Sequence, residues 1–170
     1  MINRARKTTR AIRGFTMFEV LIASSIMAVA VAAISQAVST GQVQTHVALH
    51  EMRANQLAEA LMEEIIALPY NDPDGGGAIG PESGEVQPSQ FDNVDDFHGF
   101  SETIGQVKDL AGNSYPSSFS RFGRSVSVQT SSVTAAQLGG TFDGLNVVVT
   151  ITDNNGQTWT LSRFIPQSTP

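Results

Sequence analysis

The stretch GFTMFEVLIASSIMAVAVAAISQAV, residues 14–38, decides how the rest of the chain is read. From Phe15 to Val38 only Thr16, Glu19, Ser24, Ser25, Ser35 and Gln36 are polar, and Val20 to Ile34 contains just the two serines. A helix of this length covers roughly 36 Å, enough to cross a bilayer core of about 30 Å. Five basic residues, Arg4, Arg6, Lys7, Arg10 and Arg13, precede it with no acidic residue among them. Basic flanks stay on the cytoplasmic side, so the pattern predicts the N-terminus inside and the C-terminus outside.

The helical pattern continues past the apolar run. Between Phe15 and Leu68 there is no proline and one glycine, Gly41, which marks a bend or a looser turn. Ala54, Leu57, Ala58, Leu61, Ile65 and Leu68 recur at three- and four-residue spacing, while Glu51, Asn55, Glu59 and Glu63 form an i,i+4 polar row. One face is therefore built for a core. Pro69 and the Asn71–Gly77 breaker end the helix. The expectation is one helix over 15–68, apolar all round in its first half and amphipathic in its second.

Residues 69–123 read as mostly irregular, with a short extended piece around Thr103–Leu110. The last third reads as strands. Ser125–Thr130, Leu145–Thr152 and Gln157–Ile165 alternate apolar and polar residues, and Asp153-Asn154-Asn155-Gly156 is a hairpin turn. Such a sheet of three or more strands needs a cover on one face, and the stripe of residues 54–68 supplies it. The fold class is α+β: a long N-terminal helix packed on a small C-terminal antiparallel sheet. The domain reading is a basic leader at 1–14, a transmembrane helix at 15–40, its amphipathic continuation at 41–68, and a globular region at 69–170. That region is loop-rich over 69–123 and β-rich over 124–170.

The chain has 170 residues, 41% hydrophobic, with no cysteine and a net charge of −6. This suits one modest domain with an appendage and excludes disulfide frameworks and thiol chemistry. Residues 15–170 carry five basic against sixteen acidic groups, a net of −11. An acidic body argues against nucleic acid as the main partner, although Lys108, Arg121 and Arg124 offer a local basic patch.

The junction Gly14-Phe15-Thr16-Met17-Phe18-Glu19 resembles the cleavage and methylation site of the type IV prepilin superfamily, which includes pilins and secretion and DNA-uptake pseudopilins. The likeness extends to the basic leader, the unbroken apolar helix and the β-rich body. It implies cleavage after Gly14, N-methylation of Phe15 and an assembly role for Glu19. A carboxylate within a span costs roughly 2.5–3.5 kcal/mol on insertion scales, so it needs a partner. Cleavage creates one, the Phe15 amine of a neighbouring subunit. Ala23, Ala28, Ala30, Ala32 and Ala33 let such helices approach closely. The cysteine pair that closes the C-terminal loop in many major type IV pilins is absent, which weakens the major-pilin reading, and the irregular 69–123 segment with a small sheet suits a minor pilin or minor type II secretion pseudopilin.

The resemblance further implies prepilin peptidase, other pilin or pseudopilin subunits, the inner membrane and its assembly platform as partners. It also implies a subunit with no enzyme activity, anchored in the bacterial inner membrane with a periplasmic body. Two plainer readings compete: a signal peptide cleaved at Ala30-Val31-Ala32, and an uncleaved anchor carrying an outer β-domain. Neither accounts for Glu19 at its fixed distance from Gly14-Phe15.

Other constellations are thinner. His46 and His50 share a helix face without a third ligand, which suits solvated residues better than a metal. Asp92, Asp95 and Asp96 are oxygen donors of calcium type, and the resemblance extends to major pseudopilins that bind calcium in the globular domain. No calcium-loop motif matches, and a surface loop anchored by Phe91, Phe97 and Phe100 is preferred. No cofactor is specified. No P-loop, dinucleotide fingerprint, HExxH or nucleophile elbow occurs.

Overall fold

The computed structural model describes residues 14–73, 75, 78–109 and 111–167. Residues 1–13 of the basic leader, and Asp74, Gly76 and Gly77 of the breaker, lie outside the described residues. The order of elements is one helix followed by four strands: α1 (Met17–Ile66), β1 (Ser101–Glu102), β2 (Phe122–Ala135), β3 (Gly140–Asp153) and β4 (Thr158–Pro166). This is the α+β arrangement expected. The chain divides into two units, residues 1–46 and 47–170.

In the first unit α1 is exposed on every side. Gly41 does not interrupt it: the helix runs through, and Thr45 Oγ1 donates to the Gly41 carbonyl at 2.9 Å. Ala30-Val31-Ala32 lies inside the same unbroken helix.

In the second unit α1 becomes one-sided. Ala54, Leu57, Ala58, Leu61 and Ile65 are buried, as their spacing predicts, together with Met62. Glu51, Asn55, Glu59 and Glu63 are exposed. Each of the large aliphatic side chains gains about 1.5–3 kcal/mol on burial. The helix ends two residues before the expected Leu68. Its last turn tightens, Leu68 N–H donating to the Ile65 carbonyl at 3.2 Å, and Pro69 has no N–H to continue.

The sheet is an antiparallel meander in the order β1-β2-β3-β4. Val126 pairs with Val149 and Val128 with Val147, and Leu145 pairs with Ile165 and Ile151 with Trp159 across β3 and β4. This register puts Phe122, Val126, Val128, Leu145, Val147, Val149 and Ile151 into one core with the helix stripe. The turn after β3 closes as expected, with Gly156 at φ +80° and its N–H donating to the Asp153 carbonyl at 3.0 Å.

Two expectations need correction. β2 and β3 run well past the predicted 125–130 and 145–152, pairing out to Ala135 and Gly140. Their far ends are largely solvated, so no apolar alternation announces them. The extended piece is not at 103–110. The strand is Ser101–Glu102, and a turn follows, Gln106 N–H donating to the Thr103 carbonyl at 3.0 Å. Lys108 forms only an isolated bridge with Ser114, and Leu110 lies outside the described residues. The 69–123 region is otherwise held by short 3-10 turns and by Phe97, which is buried. Phe91 and Phe100 meet Phe97 edge-on at 4.9 and 5.8 Å.

Candidate functional site

The start of α1 is built by two residues. Thr16 precedes the first helical residue. Its Oγ1 accepts the Glu19 N–H at 3.3 Å, while the Thr16 N–H and hydroxyl donate to Glu19 Oε2 at 2.8 and 2.9 Å. This reciprocal capping box satisfies donors that a helix N-terminus leaves open. The sequence reading treats Glu19 as a lone carboxylate in need of a partner on another subunit. The Thr-x-x-Glu spacing is the local signal that reveals a partner within the chain. Phe15, Met17 and Phe18 beside it are among the most exposed apolar side chains.

Past Glu19 no Asp, Glu, Lys or Arg occurs until Glu51. The hydroxyls of Ser24, Ser25, Ser35 and Thr40 fold back onto the carbonyls of Leu21, Leu21, Val31 and Gln36 at 2.8–3.0 Å. Each is thereby satisfied without water, the condition a hydrocarbon environment imposes. The helix is long and apolar enough to cross a membrane.

The two histidines expected to share a face part company. His46 is exposed. His50 Nε2 lies 3.0 Å from Asp153 Oδ2, and its ring stacks on Phe122 at 4.5 Å. His98 Nδ1 accepts the Val128 N–H at 3.2 Å. Asp153 is buried, which raises its pKa. The Gln157 N–H, the His50 side chain and the Asn155 N–H outweigh that and leave it below the usual carboxylate range.

The three aspartates Asp92, Asp95 and Asp96 do not converge as a set. Asp95 accepts the Gly80 N–H at 3.3 Å, and burial lifts its pKa. Asp96 is fully buried, and its Oδ2 accepts the N–H groups of Asp92 and Asn93, both at 3.0 Å. Its neighbours are instead Glu82 and Glu85, which the sequence reading does not single out. One carboxylate oxygen from each of the three lies within 4.8 Å of the others. Glu82 is pushed up to about 7, first by the Glu85 side chain and then by burial and by Asp72 and Asp96.

The basic patch expected from Lys108, Arg121 and Arg124 does not form a surface. Arg124 is buried; Nε donates to Glu102 and Nη2 to the Lys108 carbonyl. Its guanidinium carbon lies 5.9 Å from the ring centroids of both Phe100 and Tyr115. Arg121 donates to Asn154 Oδ1 at 3.3 Å. Arg124 opens onto a cavity of about 190 Å³ that Glu64, Glu102 and Asp109 also line. Burial raises Glu64 there, with the Arg124 charge pulling the other way.

The family comparison falls on the helix start. The prokaryotic N-terminal methylation motif matches residues 9–35, a span that includes Gly14, Phe15 and Glu19. The chain thus carries the type IV prepilin-like cleavage and methylation signal, the mark of a pilin-like or pseudopilin precursor and of a prepilin peptidase substrate. No curated protein and no solved structure matches the chain.

Proposed function

We propose that the chain is a minor structural subunit of a type IV pilus-like or type II secretion filament. Prepilin peptidase cleaves it after Gly14, and Phe15 becomes the N-methylated first residue. Residues 15–40 hold it in the inner membrane with the body in the periplasm, and it then joins other pilin or pseudopilin subunits through this helix at the assembly platform. The observation that carries the reading is the methylation motif on a helix whose apolar first half is exposed, with Glu19 the one Asp, Glu, Lys or Arg between Arg13 and Glu51.

Physical chemistry supports the assignment. An exposed apolar helix of this length is a liability in water and is at home in lipid or in a filament core. Its alanines permit close helix contact. Its work is mechanical: the subunit supplies a span, a register-setting carboxylate and a folded body, and no enzyme activity of its own.

N-terminal peptide mass spectrometry on protein from its native membrane tests this. The expected product begins at N-methylated Phe15. A start after Ala32, or a retained unmethylated leader, overturns the proposal. A deletion strain then separates the branches: loss of secretion assigns the type II system, and loss of twitching assigns the pilus. Loss of surface attachment or of DNA uptake assigns the binding role of a tip subunit.

A further inference from the structure

We propose that the cavity of about 190 Å³ beside Arg124 binds the head group of a free amino acid, its carboxylate on Arg124 Nη1 and its ammonium on Glu64. The walls all belong to the second unit. Helix α1 brings Leu61 and Glu64, β1 brings Glu102 and β2 brings Arg124. Phe100, just before β1, adds an aromatic wall, and the loop after β1 adds Asp109.

Two unmatched atoms of the lining side chains define the ligand. Arg124 is 4% exposed and is held in place from several sides. Its Nε donates to Glu102 and its Nη2 to the Lys108 carbonyl, with the rings of Phe100 and Tyr115 beside the guanidinium. Its Nη1 is buried with no acceptor. Glu64 Oε2 is likewise buried with no donor. Among the described residues no ion pair joins the two side chains. A buried guanidinium N–H or carboxylate oxygen left unmatched is costly. Burial accordingly raises the Glu64 pKa, although the Arg124 charge pulls it down.

The other carboxylates of the cavity are already engaged. Glu102 receives Arg124 on Oε2 and the Lys108 N–H on Oε1 at 3.1 Å. Asp109 receives the backbone N–H and the side-chain amide of Asn113 at 2.7 and 3.1 Å. One cationic donor and one anionic acceptor remain open in the same cavity. A ligand with only an acceptor leaves Glu64 unmatched, and one with only a donor leaves Arg124 unmatched. An amino acid carries both groups, each fully charged, on one carbon. A carboxamide also carries both, but hydrogen bonds between charged groups are roughly twice as strong as neutral ones. The volume lies below the roughly 300–1,000 Å³ of pockets for drug-sized ligands, so the amino acid has a small side chain. Leu61 and Phe100 give that side chain an apolar surface. Binding there needs no polymerisation.

The test uses the full chain in a non-ionic detergent. L-alanine is titrated, with sodium acetate, methylammonium chloride and propionamide as parallel probes that lack one charge or both. Saturation-transfer NMR reads binding directly, and thermal unfolding reads its effect on the fold. The expected result is saturable transfer to L-alanine with a saturable rise in midpoint, and neither with the three partial ligands. Glu64→Gln should weaken binding about tenfold or more, the loss of a charged hydrogen bond. Glu59→Gln, on the solvent row of the helix, should bind as wild type does. No transfer to L-alanine with an unshifted midpoint overturns the proposal and leaves the cavity to water. Equal binding of any partial ligand, or equal binding by Glu64→Gln, overturns it too. Should Glu64→Gln fail to fold, Ala111→Trp decides: Ala111 is exposed and lines the cavity, so an indole there should block binding. Undiminished binding by that variant places the ligand elsewhere and overturns the proposal.

Discussion

His50 on the helix and Asp153 at the end of β3 are 103 residues apart in sequence, and Nε2 of one lies 3.0 Å from Oδ2 of the other. Asp153 Oδ1 meanwhile accepts the N–H groups of Asn155 and Gln157, both at 2.8 Å. A single buried carboxylate therefore closes the β3–β4 turn and receives the helix. Phe122 and Trp159 flank the imidazole at 4.5 and 5.5 Å, so the contact is both polar and aromatic.

Removing His50 takes a bond from a buried carboxylate, and removing Asp153 takes one from a half-buried imidazole. Asp153→Ala should cost more than His50→Ala, because it also frees two turn N–H groups. Because Asp153 Oδ2 keeps the Asn155 side-chain amide at 3.3 Å, we expect His50→Ala to cost about 0.5–1.5 kcal/mol, the worth of one hydrogen bond. Denaturant unfolding midpoints for the two variants check the order.

The same carboxylate sets an acid limit. Its pKa is held below the ordinary value in the folded chain. A depressed carboxylate stabilises fully above its unfolded pKa and loses that contribution as pH falls through the folded one. Unfolding midpoints should therefore decline below about pH 4. Asp153→Asn should be less stable at neutral pH and show a shallower decline on the acid side. Parallel profiles for variant and wild type would contradict this.

The helix face was legible because its period is local. Leu57, Leu61 and Ile65 announce their burial by spacing alone, as Val147, Val149 and Ile151 do by alternation. The carboxylates were less legible. Whether Glu64 or Asp96 turns inward depends on partners brought by distant elements, and neither residue breaks a pattern. Arg124 occupies an inward position of β2, between Phe122 and Val126, where a polar residue in the alternation was readable but its partner Glu102 was not. The far ends of β2 and β3 were invisible because neither of their faces meets the core. Thr16 and Glu19 are the opposite case, a local signal with a local answer.

Leu61→Ala should be a severe lesion. The side chain is 1% exposed within the helix–sheet core, and such truncations cost about 2–5 kcal/mol. Glu59→Ala, two residues away on the solvent row, should stay within about 0.5 kcal/mol. Comparable losses from the two would show that the helix stripe does not face the sheet.

Two glycines separate close packing from mere presence. A methyl group on Gly144 would run into the Ile165 carbonyl and the Phe164 ring, and neither the backbone nor the packed ring moves easily. Gly144→Ala should destabilise by at least about 1–3 kcal/mol, the range for overpacking. Gly41 has nothing within 4 Å of its would-be Cβ and sits inside the helix. Gly41→Ala should gain about 0.5–1 kcal/mol through helix propensity. Thermal scans of the pair should move in opposite directions.

Glu19 carries two demands that substitution can separate. As a capping residue it needs an acceptor for Thr16, and as a register-setting group in a filament it needs a negative charge. Glu19→Gln keeps the acceptor and removes the charge, since glutamine also completes a capping box. Thr16→Val keeps the charge and removes the cap, at about 0.5–2 kcal/mol of helix stability. On the filament reading, Glu19→Gln is cleaved and inserted normally but is missing from sheared filaments, while Thr16→Val still assembles at reduced yield. Immunoblots of membrane and sheared fractions, with the cleaved form resolved from the precursor, report both steps. Full assembly of Glu19→Gln together with failure of Thr16→Val would make the carboxylate a helix cap and nothing more.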